Sequence, residues 1–521
     1  MRNFMTYFQD GIKGVLSGFD RIVFKGTILP LVRAEGAMSF FRTKGIRHKD
    51  YKKWAMERSA QIVQAAQSYA LDHCGHGIEA ISSGHVRKEA LAHKRQSERG
   101  VLSGLIGIFS ALESCWSFKA FYSKEHGYPQ LRKTSTKCKH LYFYFDHPEY
   151  GFMHVRLQTW FPYSVQVAMN GREWLRRSLE REGVDFLAKG NKFLHVGDYG
   201  LAQQLLDRQL DTRWESMLEG FCRDVFPDRS ECLMPHLSYY WTLWQSEWAT
   251  DFIFASPDGI KPLGESLLRH AFITGTSPRI LRYLDRPLKK DGQPRANMPH
   301  DVLSRTQRFN EGLRVRHWVG GNSVKCYNES NVLRVETTMN HPGMFYVHRR
   351  AQGQPRSQPK QLRPLRKGVA DVALRASVSQ DVNNRFIDNL AAAQCRKPLS
   401  ELLDGVVEAK RKGGRRIRGL DPTGKDRHLL MALSDPALLV GGLTNQWLRE
   451  RLSHSPGYRG KTDKQLSAKV SRMLRLLRDH SLIRKLPRQN RYSLTAKGQN
   501  LVMAINAMLD TDTKSLMEIA A

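Results

Sequence analysis

Residues Lys139 to Met169 read KHLYFYFDHPEYGFMHVRLQTWFPYSVQVAM, and their alternation decides the fold class. Leu141, Phe143 and Phe145 alternate with His140, Tyr142, Tyr144 and Asp146, and Pro148 to Gly151 then supplies turn chemistry. Met153, Val155 and Leu157 next stand opposite His154, Arg156 and Gln158. After Phe161-Pro162, Val165, Val167 and Met169 stand opposite Ser164 and Gln166. A period of two is the signature of strands buried on one side. Three strands are therefore predicted, each with an apolar face and a hydrogen-bonding face.

Working outward, the pattern returns further on. Leu313, Val315 and His317 alternate with Arg314, Arg316 and Trp318. Val324 and Cys326 stand opposite Ser323, Lys325 and Tyr327, and Leu333, Val335 and Thr337 opposite Arg334, Glu336 and Thr338. Between the two groups lie helical patterns at Ala202 to Gln209, Glu215 to Val225 and Leu263 to Ala271, and one aromatic stretch, Tyr239 to Phe254. Residues 1–130 read mainly as helices, notably Asp50 to Leu71 and Val86 to Arg99. The expected fold is α+β in four parts: a helical N-terminal region (1–130), a core with a central antiparallel sheet backed by helices (131–348), a basic linker with a helical segment (349–420) and a C-terminal domain (421–521). If both strand groups join one sheet, its open face gathers Arg156, Arg314, Arg316, Lys325 and Arg334 among tyrosines such as Tyr327. Cations for phosphates and rings for bases are what a nucleic-acid platform needs.

Charge points the same way. The chain carries 82 Lys+Arg against 50 Asp+Glu, a net +32, which calls for a polyanionic partner. Two basic runs free of acids, Arg349 to Gly368 and Lys410 to Arg418, mark joints, the second with Lys410, Arg411, Lys412, Arg415 and Arg416 around a Gly-Gly break. At 41% hydrophobic residues wholesale disorder is excluded. No apolar stretch reaches the roughly 20 residues of a membrane-spanning helix, and the N-terminus lacks a secretion signal. A soluble, cytoplasmic protein without a membrane partner is expected; the oligomeric state is not given by the sequence. The seven cysteines include no CxxC, so neither a disulfide framework nor a zinc finger is indicated.

Candidate chemistry gathers in YYWTLWQSEWATD, Tyr239 to Asp251. Tyr239 and Tyr240 are the candidate nucleophiles. A strand here puts Tyr239, Trp241, Gln245 and Glu247 on one face, with Asp251 following. Glu247, Asp251 and Glu336, joined by His154 or Asp146, would make an oxygen-rich site for Mg²⁺ or Mn²⁺. Walker loops, HExxH and the dinucleotide-binding glycine pattern are missing, so no nucleotide or organic cofactor is indicated. The segment Gly320 to Glu336, GGNSVKCYNESNVLRVE, resembles replication initiator proteins of rolling-circle plasmids and filamentous phages through Lys325, Tyr327, Arg334 and Glu336. The resemblance implies a tyrosine that attacks DNA and a metal ligand at Glu336. The paired-histidine motif of that fold is replaced here by His154-Val155-Arg156. A transposase of the acidic-triad kind would use the same residue types.

In the C-terminal part, helices are expected near Lys425 to Leu433, Thr444 to Leu452 and Lys464 to His480. The third buries Leu466, Val470, Met473, Leu474 and Leu477 and turns Lys464, Ser471, Arg472, Arg475 and Arg478 outward. Leu482 to Thr495 reads as a β-hairpin carrying Arg484, Lys485, Arg488 and Arg491, and a last helix runs from Ala496 to Leu509. From Asp421 to Leu509 the chain resembles winged helix-turn-helix domains of bacterial DNA-binding proteins, which implies a recognition helix for the major groove and a basic wing. The expected function is DNA processing for a mobile genetic element, as replication initiator or transposase, by metal-assisted phosphodiester transfer. A non-enzymatic DNA-binding regulator or architectural protein is one alternative, and an RNA-binding partner of a structured RNA the other, so RNA stays open beside DNA.

Overall fold

A computed structural model describes the chain apart from residues 82–85, 228, 261–263, 265–266, 269–270, 272–279, 281–283, 285–301, 310–311, 352, 356, 392–398, 434–442, 486–489 and 513–521. Two compact units result: Gly14–Ile253 with Glu336–Gln380, and Met1–Lys13 with Phe254–Val335 and Asp381–Ala521.

The first unit is built on strands β1 (Ile12–Thr27), β2 (Glu79–Ala80), β3 (Gly104–Ser123), β4 (Tyr128–His147), β5 (Gly151–Gln158), β6 (Val165–Asn170) and β9 (Tyr240–Phe254), with a separate hairpin β7 (Phe186–Lys189) and β8 (Lys192–Val196). The main strands lie in the order β9-β1-β6-β5-β4-β3-β2. The expected strands of Lys139 to Met169 are all present. Leu141, Phe143, Val155, Leu157, Val165 and Val167 are buried in one core with Phe40 and Phe41 of the helix Ala34–Thr43, Ala55 and Ile62 of Tyr51–Cys74, and Leu218 and Cys222 of Trp214–Val225. The opposite face carries Tyr142, Arg156, Gln166 and Lys25 side by side in register. The sheet is mixed, because β2 pairs with β3 in parallel while β3, β4, β5, β6 and β1 pair antiparallel.

The N-terminal 130 residues depart from a helical reading. Helices Tyr51–Cys74 and Lys88–Arg99 form where their composition places them, yet β1 and β3 are strands of 16 and 20 residues. Both are buried on both faces along much of their length, which erases the period of two that reveals a half-exposed strand. β1 also breaks its own alternation. Phe19, Ile22 and Phe24 all belong to the core, and a three-residue step cannot keep one face in a regular strand. Asp20 and Arg21 thus turn in succession to the other face, as at a β-bulge. In β9 the five-residue step from Leu243 to Trp248, both core residues, does the same. The expected grouping of Tyr239 and Trp241 with Glu247 on one face is thereby overturned: the two rings face the core and Glu247 faces away.

In the second unit β10 (Leu303–Phe309), β11 (Gly312–Val319), β12 (Asn322–Glu329) and β13 (Val332–Met339) follow in that order, with β10 to β12 antiparallel. The last four residues of β13 fall in the first unit, where this strand neighbours β9. The common open face expected for the cations is not formed by one unit. Arg156 lies in the first and Arg314, Arg316, Lys325 and Arg334 in the second, and Arg334 is 1% exposed on a strand buried throughout. The pattern predicted at Leu263 to Ala271 lies largely outside the described residues.

Back in the first unit, the basic run from Arg349 enters a hairpin, β14 (Tyr346–Arg349) with β15 (Gln361–Pro364), before the helix Val372–Ala391. In the second unit Lys410 to Ile417 forms a hairpin, β16 (Lys410–Lys412) with β17 (Arg415–Ile417). Its turn, Gly413-Gly414, has φ of 56° and 74°, the left-handed pair that a two-residue hairpin requires. Ile417 and Leu420 pack with Leu402 and Val406 of the helix Leu399–Val407 into the C-terminal core. That core also takes Leu429 and Leu430 of the helix Arg427–Leu433, Leu448 of Asn445–Leu452, and Leu466, Val470, Leu474 and Leu477 of Asp463–Asp479. Thr462 caps the last of these in a capping box with Gln465. Strands β18 (Ile483–Lys485) and β19 (Tyr492–Leu494) then pair, Leu443 bridges to Tyr492, and the helix Ala496–Asp510 closes the domain.

Candidate metal centre

Asp20, Glu247 and Glu336 offer carboxylate oxygens that all lie within 4.8 Å of one another. They come from β1, β9 and β13, three consecutive strands of the sheet. Neighbouring strands stand about 4.7–4.9 Å apart, so the side chains of Asp20 and Glu336, on the strands either side of β9, must lean towards Glu247 to bring all three carboxylates this close. Asp20 and Glu336 are buried and Glu247 is half-buried. Three carboxylates this close repel one another when ionised, and a hard divalent cation with oxygen ligands relieves the repulsion. The all-oxygen donor set fits Mg²⁺ or Mn²⁺.

Asp20 is held in place by a relay from a helix start. Asn191 in the β7/β8 turn donates through Nδ2 to Asp20 Oδ1 at 2.6 Å, and Asn170 Nδ2 donates to Asn191 Oδ1 at 2.8 Å. Asn170 in turn caps the helix Gly171–Arg181 by accepting from Arg172 N and Glu173 N. Gly171 allows the close fit: a Cβ there would stand 2.3 Å from the Phe19 carbonyl oxygen.

A cavity of about 270 Å³ opens beside the acids, lined by Asp20, Arg21, Glu89, His93, His154 and Glu247 among others. His154, expected as a ligand, shares this cavity but is not one of the three clustered residues. Burial, and then Arg21, Arg156 and Lys88, push its pKa down to about 4; His140, on the same face, is also pushed down to about 4 by burial and by Arg156. Both rings are neutral at pH 7. Because each folded value lies below the unfolded one near 6.5, their stabilising contribution is complete above pH 6.5 and is lost as pH falls towards 4. The melting temperature is expected to drop by about 5 °C between pH 6.5 and 5, and the His140→Asn, His154→Asn double variant to flatten that slope. A flat wild-type profile over the same interval would contradict the burial of neutral rings.

The other expected catalytic residues are placed elsewhere. Asp251 is 0% exposed and ion-paired at 3.2 Å to Arg172, itself 1% exposed. Its charge is already matched, and it is not part of the acid cluster. Asp146 is likewise engaged, by Arg177 and Gln96 at 2.8 Å each. Tyr239 is buried and donates its hydroxyl proton to the Tyr163 carbonyl at 2.6 Å, and burial pushes its pKa far up. It is not a nucleophile. Tyr240 is 38% exposed but lies seven positions from Glu247 on β9, about 23 Å along an extended strand. Asp20, Asn191, Glu89 and His93 were not singled out by sequence reasoning.

Among the expected nucleic-acid contacts, Arg156 is tied to Glu113 at 2.6 Å, and Lys88 and Tyr142 hold the same carboxylate. Burial alone would raise the Glu113 pKa, but these hydrogen bonds and the Arg156 charge hold it at about 2. Arg314 donates to Gln307, Arg316 donates to Ser323 and lies over the Trp318 ring, and Lys325 lies over Tyr327. Arg411 and Arg416 are exposed cross-strand neighbours, Lys410 is half-buried, and Arg415 is paired with Asp479. Lys464, Ser471, Arg472, Arg475 and Arg478 are exposed on the helix Asp463–Asp479, and Arg484, Lys485 and Arg491 are exposed on the β18/β19 hairpin. Arg488 and the Lys412 side chain lie outside what is described.

The chain matches no family model, no curated protein and no solved structure. Among the described residues no helix is long and apolar enough to cross a membrane.

Proposed function

We propose that the chain catalyses metal-dependent phosphodiester transfer on nucleic acid, as a transposase of the acidic-triad kind, with Asp20, Glu247 and Glu336 holding the cation. The observation that carries this reading is the convergence of three carboxylates within 4.8 Å in a chain of net charge +32. Three carboxylates converging this closely offer the oxygen donors a hard divalent cation takes, and the excess of basic residues selects a polyanion as substrate. A bound divalent cation would neutralise charge on the phosphate and activate the attacking oxygen. In such a reaction a water or hydroxyl oxygen bonds to phosphorus, the bond to the leaving oxygen breaks, and the attacking oxygen gives up its proton. That proton passes to solvent, because His154, on the wall of the same cavity, is held well below neutral pH by burial and by Arg21, Arg156 and Lys88 and is a weak acceptor. The tyrosines expected as nucleophiles stand away from the acids, which favours direct attack over a covalent tyrosyl intermediate.

For the C-terminal domain the reading is a winged helix that brings the substrate. Its support is the order of elements: helices Arg427–Leu433, Asn445–Leu452 and Asp463–Asp479, then the β18/β19 hairpin to which Leu443 bridges. Arg475→Ala is expected to weaken binding to a specific duplex about tenfold and to reduce the salt slope by about 0.9. Specific binding unchanged by this substitution would remove the helix Asp463–Asp479 from the reader's role.

The enzymatic reading is tested by incubating full-length protein with labelled single- and double-stranded DNA from the flanks of its own gene, in Mg²⁺, Mn²⁺ or EDTA. Cutting that requires the metal and leaves no protein–DNA adduct is expected. An adduct through a tyrosine would support the initiator reading instead. Tight, salt-sensitive binding without cutting would leave a non-enzymatic binding protein.

A further inference from the structure

A second cavity of about 200 Å³ opens on the same face of the first unit, lined by Lys25, Lys133, Arg156, His140, Gln158 and Trp116 among others. Arg21, at the acid site, and Lys25 lie on one face of β1, four residues apart, about 13 Å along the strand. His154, on the first cavity, and Arg156 follow the same face of β5.

The charges here do not cancel. Glu113 answers Arg156, but it is shared with Lys88, and among the described residues no acid lies within ion-pair distance of Lys25, Lys133 or Lys367. The ammonium groups instead meet aromatic rings. Lys25 and Lys367 stand 4.7 and 4.4 Å from the centre of the Trp244 ring, and Lys133 stands 5.5 Å from that of Trp116. Lys25 is crowded enough that burial, and then Arg156, Lys367 and Lys133, lower its pKa. A fold that gathers like charges in a hollow gains from an anion placed among them. Trp116 and Trp244 are 64% and 42% exposed, so two indole rings stand beside the cations. Base faces are open to such rings only when the strand is unpaired.

We infer that this cavity, together with Trp244 and Lys367, which adjoin Lys25 outside its lining, is a phosphate subsite for a single-stranded polynucleotide, with Lys25, Lys133 and Lys367 holding backbone phosphates and Trp116 and Trp244 stacking bases. The subsite rests on the acid-triad reading for its purpose: it fixes the strand a few nucleotides from the bond presented to Asp20, Glu247 and Glu336. It assigns the first unit to an unpaired strand and leaves duplex recognition to the C-terminal domain.

The test is fluorescence anisotropy with end-labelled oligothymidine and oligouridine of about ten nucleotides, long enough to span one such groove. EDTA is present throughout, so binding is read apart from catalysis. Full-length protein carrying Arg472→Ala and Arg475→Ala serves as the reference, which lowers the C-terminal contribution. Adding Lys25→Gln and Lys133→Gln is expected to raise the dissociation constant about tenfold at low salt and to reduce the slope of log affinity against log salt by about 1.4. Trp116→Ala, which leaves every cation in place, is expected to weaken binding about tenfold through lost stacking. The lysine variant should melt no lower than its reference, since like charges have been removed. Loss confined to oligothymidine identifies DNA as the strand and loss confined to oligouridine identifies RNA; either supports the subsite. Unchanged affinity and slope in both variants overturn it. Metal-dependent cutting that survives Asp20→Asn overturns the triad reading without touching the anisotropy result.

Discussion

Asp20→Asn is expected to slow metal-dependent strand cutting by about a thousandfold, because it removes one of three charges that hold the cation while keeping the size of the side chain. The amide oxygen of the new residue can still accept from Asn191, which donates to Asp20 at 2.6 Å in the native chain. A loss of activity is therefore a loss of charge and not of the relay that starts at Asn170. A thermal measurement separates this from misfolding. Without metal the variant should still show one cooperative melt, since asparagine keeps the size of the side chain and the contact with Asn191. With Mn²⁺ at a hundred times its dissociation constant the wild type should gain about 2.7 kcal/mol, and the variant much less. Glu336→Gln should repeat the pattern from a different strand. A wild-type melting curve indifferent to Mg²⁺ and Mn²⁺ would remove the site.

Arg172→Met is expected to cost about 3–5 kcal/mol, the loss typical of breaking one side of a buried ion pair. Arg172 and Asp251 are 1% and 0% exposed and 3.2 Å apart, and Arg172 also donates to the Ala249 carbonyl at 2.9 Å. The substitution deprives Asp251 of that countercharge inside the protein. Replacing both partners, Arg172→Met with Asp251→Leu, should recover most of the stability, because both charges of this buried pair are then removed together. The same pair distinguishes Asp251 from the metal-binding acids. If Asp251 served only as a ligand, Asp251→Leu alone would abolish cutting with little change in melting. The ion pair predicts the reverse order of effects: a large fall in stability in either single variant, and cutting restored together with stability in the double one. Denaturant unfolding of the three variants, read beside the cutting rate, decides between them.

How far the sequence reveals this molecule depends on what each segment faces. The strands of Lys139 to Met169 are legible because one face is buried and the other is not, so composition alternates with geometry. β1 and β3 are covered on both faces, and their long apolar stretches carry no period to separate them from helices. Asp20 is hidden for a related reason. In FDRIVF a regular strand would put it on the face of Ile22 and Phe24, inside the core. Only the slip after Phe19 turns it to the face that Glu247 shares. Glu247 and Glu336 were legible as acids in strands rich in aromatic or basic residues. Asp251 looked equivalent to Glu247 because the two are four residues apart, whereas the arginine that claims Asp251 is distant in sequence and near only in the fold. Tyr239 was misjudged by the same parity slip, this time in β9. In the C-terminal domain the helix Asp463–Asp479 was readable down to its cap, because Thr462 and Gln465 act within one turn.

The three acids stand on adjacent strands, and that sets which ion the centre tolerates. Ladder hydrogen bonds fix the separation of strand backbones far more firmly than a loop fixes its ends, so a pocket made this way breathes little. Mg²⁺ and Mn²⁺ suit a small, octahedral oxygen shell, whereas Ca²⁺ takes six to eight oxygens at about 2.3–2.6 Å. Such a frame discriminates by ionic radius: calcium would sit among Asp20, Glu247 and Glu336 only by spreading the sheet or by leaving part of its shell to water and substrate.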